Sequence, residues 1–540
     1  MPDLKRNATA RWIVAASLLI AGSCAPVSQK LHAMPEAPYD TGEAERTVHY
    51  AYTSIVERHL ERTTAADVAL EGMRGLAAID PEIVVSRLDG KILLSASDHL
   101  AAEYPAPEAD DVRGWSRLTV TVALEARGLS ARMREADVEA VYQAVFDATL
   151  SKMDLFSRYA GAKEAREHRA SRNGFGGIGI KFDLTDGESR ISEVMEDTPA
   201  AEAGLQAGDI ITHIEGESLS QLSKDEISKR LRGPVSSSLA MTVRRGFKPI
   251  EISLRRGLIV PPTVSAHLRN GIAEIQISSF NQRTTQSLRQ SLEHLRDLNG
   301  GTLAGAILDM RGNPGGLLDQ AVGVSDLFMR DGTIVSTRGR SPLASQSYDA
   351  HDGDIGETLP LAVLVDSKSA SAAEIVAAAL QDSGRAVVIG TNSYGKGTVQ
   401  TVIRLPNDGE MTLTWSRFHT PSGYALHGLG VLPTLCTADT AATVDGLTAG
   451  LAQETAPTAT TVNLGLWRHT RLDETGLRRQ LRDTCPGAAH GDARLETDLA
   501  ERLLLQPELH MRALALSAPA ETPAAAELRD PLQSTGQHSR

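Results

Sequence analysis

The spacing of hydrophobic positions changes repeatedly along this chain. Over residues 46–170, "AERTVHYAYTSIVERHLE", "TAADVALEGMRGLAAI" and "READVEAVYQAVFDATLSKM" place apolar residues three and four apart, which predicts a helical N-terminal region. Over 171–257 the period shortens. "GFGGIGIKFDL" and "SSLAMTVRRGFKPIEISLRR" alternate apolar and polar residues between glycine breaks, and "SKDEISKRLRG" interrupts them as a short helix. That pattern predicts a small, self-contained domain. Over 258–436 apolar strands and amphipathic helices alternate: "GIAEIQISSF", a helix at 284–298, "GAILDMRG", a helix at 317–329, "LAVLVD", another helix, "AVVIG" and "TVQTVIRL". Strands this continuously apolar predict an α/β core buried on both faces. Residues 437–516 read as helical and Ala-rich, and 517–540 as a disordered Pro/Ala/Glu tail.

The start of the chain has its own pattern. Lys5, Arg6 and Arg11 precede "WIVAASLLIAG", an apolar run too short to span a bilayer, and small residues follow in "GSCAP". Residues 1–25 are therefore expected to be an export signal, with 26–45 a polar linker. Cleavage after Ala25 fits a small-x-small rule. Cleavage before Cys24 would leave a lipidated cysteine and membrane attachment, although "AGSC" lacks the usual upstream leucine. Whether Cys24 is removed or lipidated, two of the three cysteines, Cys436 and Cys485, remain able to pair. In an oxidising compartment they suggest one disulfide, the alternative being two buried thiols.

Composition narrows the function. The chain has 540 residues, 41% hydrophobic and 23% charged, as in ordinary soluble proteins. A net charge of −13 and 4% aromatics argue against a nucleic-acid partner, since nothing would neutralise a phosphate backbone.

The chemistry concentrates in "DSKSASAAEIVAAALQD", Asp366–Asp382, and "YGKGTVQ", Tyr394–Gln400. Ser371 and Glu374 form S-x-x-E before an apolar helix, which by itself reads as a capping box. Chain geometry suggests more. A helix over 372–382 rises about 16 Å, and the following strand "AVVIG" returns about the same distance. Lys396 is thereby expected near Ser371, with Lys396, Thr398 and Gln400 on one strand face and Gln400 able to hold the amine. A serine hydroxyl needs a base to become a nucleophile. A lysine serves only when neutral, so its pKa of about 10.4 must fall by about three units, roughly 4 kcal/mol, through burial. The amide of Ala372 and a donor from Gly315 or Gly316 in "GNPGG" would form an oxyanion hole. "GTNSYGK" also resembles a phosphate-binding loop, but Gly397 stands where Ser or Thr should bind magnesium and a strand follows instead of a helix.

"GNPGG", "SASAAE", "ALQD" and "YGKGTVQ", in this order and spacing, resemble the carboxyl-terminal processing (tail-specific) serine peptidases over about 50–435. The resemblance implies a crotonase-like α/β core with Ser371 as nucleophile, Lys396 as general base and Gln400 orienting the lysine. It implies a structural role for Asp382. Two departures, Ala373 for a serine and Thr434 for an aspartate, leave the dyad intact. Similarly, "FGGIGIKF" with "TPAAEAGLQAGDIITHIEG" resembles a PDZ domain. Gly176, Gly177, Ile178 and Gly179 would cradle a terminal carboxylate in successive amides, and the strand from Ile180 would pair with an extended peptide. The expected partners are protein C-termini, with a homo-oligomer or an adaptor left open.

No cofactor or metal is expected. His419 and His427 read as structural, Arg311 as a buttress of its turn, and "DAHDGD" at 349–354 as a solvated loop. A rival function is a PDZ-based scaffold with an inactive or latent core.

Overall fold

The structure is a computed structural model, and it describes residues 40–351, 359–439, 441–452, 457–487 and 494–517. The leader, Cys24, the C-terminal tail and the second half of the "DAHDGD" loop lie outside these residues.

The N-terminal region packs helices Thr41–Arg58, Ala65–Arg74, Val112–Leu129 and Val138–Ser151 around Tyr52, Ile55, Met73, Trp115 and Phe146, all fully buried. Caps set several starts: the Thr64 hydroxyl accepts from Asp67 N at 3.1 Å, and Asp137 from Ala140 N at 2.6 Å. The helical expectation for 46–170 needs correction. Ile83–Leu88, Lys91–Ala96 and His99–Pro105 form an antiparallel meander. Its first hairpin closes at Asp89-Gly90, both at positive φ (50° and 73°), a two-residue turn whose twist matches the strands. Arg158–Ala160, at the end of this region, is a strand paired with Glu410–Thr412 of a sheet further along the chain.

Next comes an antiparallel sheet in the order Lys248–Arg255, Ser238–Arg245, Ile210–Ile214, Glu188–Val194, Ile180–Thr185, with helix Lys224–Leu231 packed on it through Ile227 and Leu231. Ser223 and Glu226 cap that helix reciprocally. The segments entering and leaving this unit, Phe175–Gly177 and Gly257–Ile259, pair antiparallel.

The core sheet runs Val264–Arg269, Ile272–Ile277, Gly305–Asp309, Leu361–Val365, Val387–Gly390, Leu435–Cys436, with all pairs after the first parallel. Every residue of Leu361–Val365 is buried, because both faces are covered. One face carries the helices Thr284–Leu298, Leu318–Asp326 and Ala372–Asp382. The other face is covered by helices of the C-terminal region, through Leu451, Leu499, Leu503, Leu504 and Leu516 against Ile307, Leu364 and Val387. The C-terminal region is thus half of the core's covering. A disulfide joins Cys436 to Cys485. A second sheet, Gln346–Asp349, Thr333–Gly339, Glu410–His419, Thr398–Arg404, stands beside the cleft.

Candidate active site

Three loops at the C-terminal ends of core strands build the site. The first leaves Gly305–Asp309 and turns through "MRGNPGG". Gly315 and Gly316 have φ of 99° and 151°, and there is no room for a side chain. A Cβ on Gly315 would lie 2.8 Å from Ala370 O, and one on Gly316 2.1 Å from Phe280 O. Arg311 buttresses this turn, donating to Asp309 and to Glu496 of the C-terminal helix Leu495–Leu504. Asn313 shapes its inner side, accepting from Gly315 N at 2.8 Å and donating to Ile277 O at 2.7 Å.

The second element is the start of the helix Ala372–Asp382. Ser371 precedes it at φ 56° and ψ −112°, a conformation disfavoured for a residue with a side chain by about 1–3 kcal/mol. Its N–H donates to Glu374 Oε2 at 2.8 Å, and the neighbouring Ala370 N–H donates to Asn313 O at 2.9 Å. The strained turn is therefore held from both sides and presents Ser371 at the cleft.

The lysine loop follows strand Val387–Gly390. Thr391, Asn392 and Ser393 are fully buried without regular structure, and Glu374 organises the loop. Its Oε1 accepts from Ser393 Oγ (2.5 Å) and Gly395 N (2.6 Å), and its Oε2 accepts from Lys396 N (2.9 Å) as well as Ser371 N. Burial pushes the Glu374 carboxyl up, against the pull of these hydrogen bonds. As a capping box, Glu374 looked local. The signal of its larger role is a lone carboxylate in "AAEIVAAAL", where every helix residue is buried.

Ser371, Ala372, Gly315, Gly316, Lys396 and Gln400 line one cleft of about 400 Å³. Burial, reinforced by Arg158, lowers the Lys396 pKa, while Glu374 and Asp154 oppose the shift. The lysine Nζ lies over the ring of Phe156, 5.3 Å from its centroid. Among the described residues it has no hydrogen-bond partner, so Ser371 and Lys396 share a cleft without a direct bond.

Two expectations change in detail. Gln400 does not hold the lysine here. The partner strand carries one extra residue, Trp415, opposite Val399 and Gln400, which brings Thr414 across from Gln400. The Gln400 amide donates to Thr398 Oγ1 (2.8 Å) and Thr414 Oγ1 (3.4 Å). Thr414 in turn donates to Asp154, which also bonds the buried His59. Among the oxyanion donors, Gly315 N–H is engaged by Asn313. The N–H groups of Ala372 and Gly316 have no acceptor among the described residues.

In the small domain, Gly177, Ile178, Gly179 and Ile180 line a groove with Ser228 and Leu231. Gly176 stands outside it. Its carbonyl accepts from Gly233 N at 3.0 Å, and a Cβ there would lie 1.9 Å from Gly233 O. Asp382 pairs with Arg468 at 2.8 Å and accepts from Ser422, closing the far end of the serine helix. His419 is pushed down to about 4 and His427 is also lowered, both chiefly by burial, so both are neutral at physiological pH.

A serine at a strained helix start, a Gly-rich turn offering amides and a desolvated lysine, all on a mixed α/β core, define a serine-type peptidase. Residues 271–436 match the model of peptidase family S41, and 190–245 match that of a PDZ domain. The chain is 38% identical over 301 residues to the carboxy-terminal-processing protease of Bartonella bacilliformis, covering 55% of this chain and 69% of that one. It is 31% identical over 306 residues to the carboxyl-terminal-processing protease of Synechocystis sp., covering 55% and 70% respectively. A solved structure of a photosystem II D1 C-terminal processing protease aligns at 21% identity and a TM-score of 0.37, covering 73% of this chain and 92% of that one. The chain belongs to peptidase family S41, the carboxy-terminal processing proteases, and carries a PDZ domain.

Proposed function

We propose that this chain is an exported endopeptidase that recognises protein C-termini through its PDZ groove and cleaves them with a Ser371–Lys396 dyad. The observation that carries the proposal is the meeting in one cleft of Ser371, desolvated Lys396 and the N–H groups of Ala372 and Gly316, which have no acceptor among the described residues.

Lys396, neutral, takes the Ser371 proton as Oγ attacks the scissile carbonyl. The oxyanion is met by the Ala372 and Gly316 amides. The lysine then protonates the leaving amine, and water hydrolyses the acyl-serine by the reverse proton path. Gln400 takes its orienting role once the amine swings from Phe156 towards Ser371. The crotonase-like character of the core, the unit boundaries given above, except that the expected linker 26–45 gives way to helix at Thr41, and export by residues 1–25 belong to the same reading. So does the terminal-carboxylate cradle, narrowed to the amides at Gly177–Gly179.

The test is incubation of the chain with an unstructured protein bearing an apolar C-terminus. The parent should cleave it, and folded Ser371→Ala and Lys396→Ala should not. Cleavage by either variant would refute the dyad.

A second reading, a PDZ-based scaffold with a latent core, draws on the lysine resting over Phe156 and on Gln400 bonded to Thr398. It predicts tail-peptide binding without turnover in the parent chain itself.

A further inference from the structure

Behind the lysine loop lies a helix from the C-terminal region, Thr475–Arg482, outside the stretch that matches the peptidase model. Two arginines one turn apart on it point inward. Arg478, 5% exposed, donates through Nη2 to the carbonyls of Ala425 (3.0 Å) and His427 (2.5 Å). Arg482 donates through Nη1 to the carbonyl of Leu429 (2.5 Å), and its own carbonyl accepts from Asn392 Nδ2 (2.6 Å).

The segment these arginines hold is pressed against the residues flanking Lys396. Gly428 N donates to Gly395 O at 2.9 Å, and a Cβ on Gly397 would lie 1.9 Å from His427 N. The Arg482 Nη1 atom lies 3.3 Å from where a Cβ on Gly395 would be. Just beyond, Val431 N donates to Ser393 Oγ at 2.8 Å, and that hydroxyl donates to Glu374. Three residues after Arg482, Cys485 forms the disulfide to Cys436. Arg482 also faces the negative charge of Glu374, the carboxylate that holds both Ser371 N and Lys396 N.

Arg478 is buried and Arg482 half-buried, and a guanidinium withdrawn from water is an expensive filler, because apolar residues of similar volume stabilise a core as well or better. What it supplies is fixed direction, since its planar fork aims its donors. Here the donors aim at backbone carbonyls one contact removed from the lysine.

We propose that Arg482 is a positioning residue for Lys396. Its guanidinium, on Leu429 O beside Arg478 on Ala425 O and His427 O, holds the end of the Ala425–Gly430 segment against Gly395–Gly397 and so sets where the lysine amine stands relative to Ser371, which makes residues 475–485 part of the apparatus that positions the lysine. The inference rests on the dyad reading above. Because a displacement of about 1 Å can reduce a catalytic rate about a hundredfold, the effect should fall on turnover and leave substrate binding at the PDZ groove untouched.

The experiment measures kcat and KM of the full chain and of Arg482→Met, Arg482→Lys and Lys396→Ala, with thermal melts to establish folding. Arg482→Met should lose at least about tenfold in kcat, with KM within about twofold of the parent. Arg482→Lys, which keeps the charge and loses the fork, should recover part of that loss yet stay at least about threefold below the parent. A folded Arg482→Met with parental kcat and KM overturns the proposal. If only Arg482→Lys folds, parental kcat and KM in that variant overturn it. Lys396→Ala separates the two readings: activity there refutes the dyad itself, whereas its inactivity beside a parental Arg482 variant refutes only the positioning role.

Discussion

Glu374 accepts the backbone N–H of Lys396 at 2.9 Å on the same carboxylate oxygen that accepts the N–H of Ser371 at 2.8 Å. One fully buried side chain therefore ties the turn carrying the serine to the loop carrying the lysine, residues 25 apart in sequence. Replacing Glu374 by Gln keeps the volume but makes one of the two acceptor atoms a donor, leaving buried N–H groups unpaired. We expect Glu374→Gln to lower kcat at least about tenfold and stability by about 1–3 kcal/mol, read by steady-state kinetics and denaturant melts.

Lys396 sets a pH dependence. Its pKa is lowered in the folded chain, so between the folded and unfolded values the unfolded chain binds more protons and stability rises with pH. Below the folded value the lysine is charged in both states, and the full burial penalty opposes folding. Lys396→Met should be inactive yet melt higher than the parent. Its advantage should be largest at acidic pH and shrink as pH climbs towards about 10.4. Melts of both proteins across pH check the sign.

Two glycines should respond in opposite ways to alanine. Gly397→Ala puts a Cβ 1.9 Å from His427 N, so the lysine loop must move and activity should fall below detection. Gly128, in the helix Val112–Leu129, has nothing within 4 Å of its Cβ position. Gly128→Ala should stabilise the chain by about 0.5–1 kcal/mol and leave activity unchanged, as melts and cleavage assays would report.

The PDZ groove is separable from the chemistry. Ser228 lines it from the helix Lys224–Leu231, opposite Gly177–Gly179. Ser228→Glu should repel a terminal carboxylate and weaken tail-peptide binding about tenfold or more. Turnover of a short peptide lacking a tail motif should be unchanged. Peptide titrations by fluorescence anisotropy measure the first, and initial rates the second.

What could be read ahead of the structure followed the strength of the local signal. The serine helix and its returning strand were legible because "IVAAAL" and "AVVIG" are apolar enough to specify buried elements, and their lengths place Lys396 at the level of Ser371. The meander at 83–105 is masked by helical periodicity on both sides, although "RLDGKI" carries its two-residue turn. Strand alternation places Gln400 in the cleft with Lys396, whereas the partners of its amide, Thr398 and a Thr414 brought opposite by the extra residue Trp415, leave no mark in composition. The engagement of Gly315 by Asn313 is a loop interaction with no periodic signature. The part played by Arg311, Glu496, Arg478 and Arg482 joins segments more than a hundred residues from the serine or the turn they support, in some cases, and no local pattern reports such contacts.

The most direct measurement of the dyad is covalent capture of the nucleophile. The chain is treated with a fluorophosphonate, and the modified residue is located by peptide mass mapping. A single adduct is expected on the peptide carrying Ser371, absent in Lys396→Ala at neutral pH and appearing in the parent with a rate that rises as the lysine loses its proton. An adduct on another residue, or undiminished labelling of Ser371 without Lys396, would contradict it.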